Sequence, residues 1–499
     1  MPRTRTVSIV ATLRSTRAVT RAVTRAVTRA VTLAATFALA GAAAAQNPRT
    51  ARDTTPVMTS SPLPTGRVTY RTLVETNLEM EQLAARYPDR VRRFALPHRT
   101  VAGQVVWALE ITRGVAEPDG KPVFVMTGLH HAREWPTVDL TMEFVHDILM
   151  NDGQDPRITR LMDEVRFIAV PVVNPDGYEL SRTLLNEQKR KSCRVEPGRD
   201  ATLAECANPR YRNAGVDLNR NYGAFWGGIG ANIGAGEGSF RGAAPFSEPE
   251  IRNMRDLFNA HQVVVALSNH TPDAKVLRAP SSPDEPTPAD VEAYDALGQL
   301  LGGDLRWDAG PWTRIYYAAS GTMEEYAYYS AGTFAYTFEN TPGQRSFHPA
   351  YAFVVDQYFG TGAYPGSSAR AGFLRLYEAA ADATKHAVLE IQAPAGATLT
   401  LSKSFTLESA QVLRADSSRA GIVAMPLTLT STTMVPAGAD RVTWHVNPSL
   451  RPSQHAQEFL QESWTVTCTR AGATAGATQR ATVMVARGKR AAVDLRACR

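Results

Sequence analysis

Cysteine is scarce in this chain: four in 499 residues, Cys193, Cys206, Cys468 and Cys498, with no C-x-x-C spacing among them. That argues against a cysteine-held zinc site. The four fall into two local pairs, Cys193 with Cys206 and Cys468 with Cys498. An exported protein would oxidise them to two disulfides, though sequence alone leaves the other two connectivities open. Long apolar runs are also missing. The weakly apolar stretch Ala30 to Ala45 (AVTLAATFALAGAAAA) is shorter than the ~20 residues a membrane span needs, and few of its side chains are large. An excess of one charge is missing too, once its source is found. The formal charge is +6, but residues 1–45 hold seven arginines and no acid, which leaves the remainder at −1. The basic balance belongs to the leader, so a nucleic-acid surface has no support.

What is present reads as an exported globular protein. The leader arginines precede the apolar stretch, and Ala43 and Ala45 supply small residues before a cut at Gln46. Residues 1–45 therefore read as a signal peptide, with an uncleaved anchor as the alternative. The mature chain is expected to be secreted or periplasmic, without a transmembrane segment. Residues 46–66, rich in Thr, Pro and Ser, read as a linker. An apolar content of 44% then supplies material for a large core.

From residue 67 to about 390, strand and helix patterns alternate. Strands are expected at Val105 to Gly114, Pro122 to Gly128, Val165 to Val173, Val263 to His270 and Gly332 to Glu339. Helices are expected at Tyr70 to Pro88, Thr137 to Asp152, Ser247 to His261, Ala289 to Gly303 and Ala371 to Ala387. Near-continuous apolar strands between helices predict an α/β fold: a mostly parallel mixed sheet covered on both faces. Residues 391–499 differ, with alternation such as TLTLSKSFTL from Thr398, and predict a small β-sandwich closed by Cys468–Cys498.

The chemistry concentrates where strands end. Strand PVFVMTG runs into LHHAREW, in which His131 and Glu134 stand three apart. One helical turn would point both the same way, so they can share a metal. His130 is a competing first ligand. His270 ends another strand, and sites in such sheets lie at the carboxyl ends of strands. Two histidines and a carboxylate leave a fourth position for water, the usual layout of catalytic zinc.

The same stretch opens an ordered series of motifs that resembles the zinc carboxypeptidases of the carboxypeptidase A type. GLHHAREW is followed by NPDGY from Asn174, GVDLNRN from Gly215, PFSEPE from Pro245, His270, YAASG from Tyr317, and Phe338-Glu339. The resemblance covers roughly residues 69–390 and not the tail. It implies one zinc ion on His131, Glu134 and His270, with Asp217 holding His131 in its tautomer. It implies that Asn219 and Arg220 grip the substrate's terminal carboxylate, a task suited to a planar guanidinium. Glu339 would be general base and acid. Arg194 would hold the oxyanion, although QKRKSCR also offers Arg190 and Lys191. Arg133 would contact substrate, and Tyr317, or its neighbour Tyr316, would close over it.

Glu324 falls where the family carries its specificity residue, with Glu325 beside it. An acid there would favour a C-terminal Lys or Arg. The expected substrate is therefore a peptide or protein C-terminus. Only a short stretch separates Ala45 from the alternating region, so no large inhibitory prosegment is expected. Two rival readings are a zinc amidohydrolase of this fold acting on cell-wall muropeptides and an inactive secreted binding protein. Oligomeric state has no signature.

Overall fold

The computed structural model describes residues 58–341, 343, 344, 346–470 and 478–498. The expected leader and residues 46–57 of the expected linker lie outside these. Four parallel strands form the heart of the main sheet, side by side in the order β4 (Arg166–Val170), β3 (Val123–Thr127), β5 (Val263–His270) and β8 (Phe334–Glu339). Every residue in them is buried. A sheet with one wet face would alternate, so both faces are covered.

Antiparallel pairing joins the outer strands to this heart. β1 (Val91–Ala95) and β2 (Trp107–Ile111) flank β4. On the other side β6 (Lys275–Arg278) runs antiparallel to β8 and carries β7 (Asp308–Pro311). The covering helices include α1 (Leu73–Arg86), α2 (Pro136–Asn151), α3 (Pro249–Ala260), α4 (Val291–Leu305), α5 (Met323–Ala331) and α6 (Ala369–Ala381). Their starts follow local chemistry. Thr72 and Glu75 cap α1 reciprocally, and Thr322 and Glu325 do the same for α5. Prolines open α2 and α3, where the missing N–H costs nothing.

The helix expected to reach Ala387 stops at Ala381, because Asp382 adopts extended backbone (ψ 105°). The chain turns and enters β9 (Ala387–Gln392), which pairs with β12 (Arg441–Val446) and β17 (Arg490–Asp494). The tail therefore begins at this strand, a few residues before 390. Its second sheet runs β11 (Ala424–Met434), β10 (Thr398–Glu408), β15 (Trp464–Thr469), β16 (Gln479–Val483), and a ribbon joins β13 (Leu450–Pro452) to β14 (Phe459–Gln461). Leu389, Ile391 and Trp444 of the first sheet share a core with Leu399, Leu401, Trp464 and Val466 of the second. That is sandwich packing, with alternate residues inward. The disulfides are Cys193–Cys206 and Cys468–Cys498.

The sandwich is bonded onto the α/β portion. β11 lies along α3. Asn447 donates to Gln262 Oε1 (2.8 Å) and Val263 O (2.7 Å), and Arg451 donates to Tyr329 O (3.0 Å). Leu413 N donates to Gly227 O (2.8 Å), and Arg241 reaches back to Leu413 O (2.6 Å). Leu407 and Ala410 belong to the main core. Among the described residues no helix is long and apolar enough to cross a membrane.

Candidate active site

The site sits at the carboxyl ends of β3, β5 and β8. β3 ends at Thr127, and a sharp turn follows. Gly128 has no room for a side chain: a Cβ would lie 2.6 Å from Pro171 O. Leu129 takes a left-handed φ of 57°. Glu134 N then donates to His131 O (3.0 Å), and this single turn puts both side chains on one side. His131 Nδ1 lies 2.8 Å from Glu134 Oε1. His270, the last residue of β5, brings its Nδ1 to 3.0 Å from both Glu134 Oε2 and His131 Nδ1.

The three donor atoms lie within 4.8 Å of one another and all three residues are buried. Burial lowers the pKa of His270 to about 4, although Glu134 pulls it up, so its ring stays neutral with a lone pair to offer. Burial pushes the Glu134 carboxyl up, but His131 and His270 outweigh it and hold it below its usual value. Two imidazoles and one carboxylate this close together make a donor set that fits zinc.

Asp217 caps the short turn Leu218–Arg220 and accepts from Asn219 N (3.0 Å). Its Oδ1 also meets His131 Nε2 (3.0 Å), which fixes the ring with Nδ1 inward. Burial raises this carboxyl, yet Arg190, His131 and Arg220 together hold it well below the ordinary range.

The arginine beside the ligands is Arg190, not Arg194. Arg190 donates to Asp217 Oδ2 (2.8 and 3.1 Å) and its Nη1 lies 3.7 Å from Glu134 Oε1. Its carbonyl accepts from Ala132 N (3.0 Å), tying it to the ligand turn. Arg194 instead donates to Glu248 Oε2 (3.2 Å) and Arg199 O (2.7 Å) and pairs with Asp200. The reason is local: Glu248 is buried and needs a cation, and Arg194 follows the disulfide-bonded Cys193 into that region.

Glu339 closes β8, paired in register with His270 of β5. It is buried, and burial raises its pKa well above the usual value, helped by Glu134 and Asp273 and opposed by Arg190 and Arg220. Arg220 is 1% exposed and anchored by Nε to Gly230 O (3.1 Å) and Nη1 to Asn219 O (2.7 Å). Among the described residues no protein carboxylate pairs with it. Asn219 Nδ2 is buried without a partner. Tyr317 is 48% exposed and its ring lies 5.9 Å from the Arg220 guanidinium, whereas Tyr316 is bonded to Asp273. Arg133 stacks 3.9 Å from the Phe347 ring centre.

Glu324 is buried in the first turn of α5, with Oε2 accepting from Thr337 (3.1 Å) and Oε1 unpartnered. Glu325 is spent on capping the helix. Sequence reasoning missed Ser268, which accompanies His270 on β5. The period of two along a strand was the available signal.

A family model described as zinc carboxypeptidase matches residues 77–358. Rat carboxypeptidase A2 is 29% identical over 276 residues, covering 54% of this chain and 62% of the relative. Bovine carboxypeptidase B is 29% identical over 269 residues, covering 52% and 60%. This chain thus spans about three fifths of the length of these curated relatives. A crystal structure of carboxypeptidase A from Helicoverpa armigera superposes with a TM-score of 0.54 at 24% identity, covering 68% of this chain and 78% of that one, a likeness of fold. The fold, the donor set and the matched span agree: this chain belongs to the zinc carboxypeptidase family.

Proposed function

We propose that the chain is an exported zinc carboxypeptidase that releases the last residue of peptides, with preference for C-terminal Lys or Arg. The observation that carries this reading is the buried Arg220, which has no carboxylate partner among the described residues, set near a His-Glu-His donor set and Glu339. A buried cation without an internal counter-ion suits a carboxylate that arrives with the substrate. That restricts cleavage to free C-termini.

One zinc ion on His131, Glu134 and His270 would supply Lewis-acid polarisation and acidify water. The chain's own groups do the rest. Glu339 takes a proton from the attacking water and delivers it to the leaving amine. Arg190 faces the developing oxyanion from beside Glu134, taking the role expected of Arg194. Arg220 and Asn219 clamp the terminal carboxylate. Tyr317 covers the substrate, and Arg133 contacts it upstream. Glu324, with one unpartnered oxygen, receives the cationic side chain. Export is supported by the two disulfides and by the arginine-led leader pattern.

A panel of peptides ending in Lys, Arg or Phe, run with and without a zinc chelator, tests the reading. Chelator-sensitive release of Lys and Arg is expected, and Glu339→Gln should lower kcat by roughly 10²–10⁴-fold. Glu324→Gln should erase the basic preference. Faster cleavage of Phe by the unaltered chain would end the specificity claim. Preference for γ-D-glutamyl substrates over free peptide C-termini would favour a muropeptide amidohydrolase.

A further inference from the structure

His130 precedes the ligand His131 but turns elsewhere. Starting at His270 and running away from Glu134, four buried side chains form a line. His270 Nε2 lies 2.9 Å from Ser268 Oγ, which lies 3.2 Å from His130 Nδ1. His130 Nε2 in turn lies 2.8 Å from the Tyr222 hydroxyl. Both nitrogens of His130 therefore meet hydroxyls, and no carboxylate touches it among the described residues. Ser268 reaches His270 because residues two apart on a strand share a face.

Counting protons gives the line a direction. A neutral imidazole has one N–H and one lone pair. For His270 to offer Nδ1 to a cation, its proton must sit on Nε2 and donate to Ser268 Oγ. The single serine proton is then free to donate to His130 Nδ1. His130 must carry its own proton on Nε2, donating to Tyr222. The reverse order also satisfies every bond. It leaves a proton on His270 Nδ1, directed at Glu134, and that proton excludes a cation. The line has two consistent states, and one of them accepts metal.

We infer that His130 is a positioning residue, which with Ser268 and Tyr222 holds His270 in the metal-accepting tautomer and orientation. The inference rests on His131, Glu134 and His270 being the zinc site proposed above. His131 has Asp217 for the same purpose, so each histidine ligand has its own support.

The test is zinc affinity of the full chain, measured by competition with a chromophoric chelator, with the cobalt-substituted spectrum as a second readout. His130→Leu and Ser268→Ala should each weaken zinc by roughly 10- to 100-fold and shift the cobalt bands. His130→Gln should restore affinity to within a few-fold, because its amide accepts at oxygen and donates at nitrogen. Ser268→Ala is small enough to keep the fold if His130→Leu does not. Tight zinc binding by the unaltered chain, with both disruptive variants equally tight and spectrally unchanged, overturns the relay alone. An unaltered chain that binds no zinc overturns the metal reading and the relay together.

Discussion

Arg190 and Arg194 are chemically identical and close in sequence, yet their neighbours assign them different work. Arg190 is held against Asp217 and the ligand turn, and Arg194 neutralises buried Glu248. On its proposed role as oxyanion donor, Arg190→Ala is expected to lower kcat by roughly 10²–10³-fold. Arg194→Ala should leave kcat near that of the parent and cost about 1–3 kcal/mol in a denaturant melt, because Glu248 loses its partner. In its proposed role as general base, Glu339 sets a pH dependence. It must be ionised to take a proton, and burial with Glu134 and Asp273 raises its pKa. Activity should therefore fall as pH drops through that raised value, at higher pH than an ordinary glutamate would require. Asp273→Asn removes one negative neighbour, so the acid limb in kcat/KM should move to lower pH by roughly half a unit. A limb that moves upward would contradict the assignment.

At the scale of elements, most of the site-bearing strands and helices were legible. β3, β5 and β8 are apolar runs ending in polar residues, and their ends carry His131, His270 and Glu339. The register of the basic cluster was not legible. It depends on Ala132 N bonding Arg190 O and on where Cys193 is tied, contacts distant in sequence. The edge strands β1 and β7, and β6 between β7 and β8, are not legible from the sequence because each is short, with pairing rather than pattern defining it. The helix end at Ala381 was overrun because the alanine-rich stretch has helical propensity beyond the point where Asp382 turns. The bond Cys468–Cys498 ties β15 to the end of the tail across a separation of 30 residues. Replacing both cysteines with serine should lower stability by about 3–4 kcal/mol on loop-closure grounds, read as a shift in the denaturant midpoint. Activity at low denaturant should persist.

On the scale of the whole molecule, the α/β portion and the sandwich share bonds and core. Leu407 and Ala410 pack into the main core, and Asn447 satisfies Val263 O at the start of β5. A chain ending at Lys385 should lose at least roughly 5 kcal/mol, counting only a few buried side chains at ~2 kcal/mol each. That is comparable to the entire margin of an ordinary domain, so soluble yield and the circular-dichroism melt should both collapse. The contact with the widest reach is the one between Leu413 N and Gly227 O. Gly227 lies in the same loop as Gly230, whose carbonyl steadies Arg220. The grip proposed for Arg220 on a terminal carboxylate is thus braced from outside the portion that resembles known carboxypeptidases. Drift in the sandwich tip would register as looser substrate hold with the zinc ligands untouched, giving selection a way to retune affinity at a distance from the chemistry.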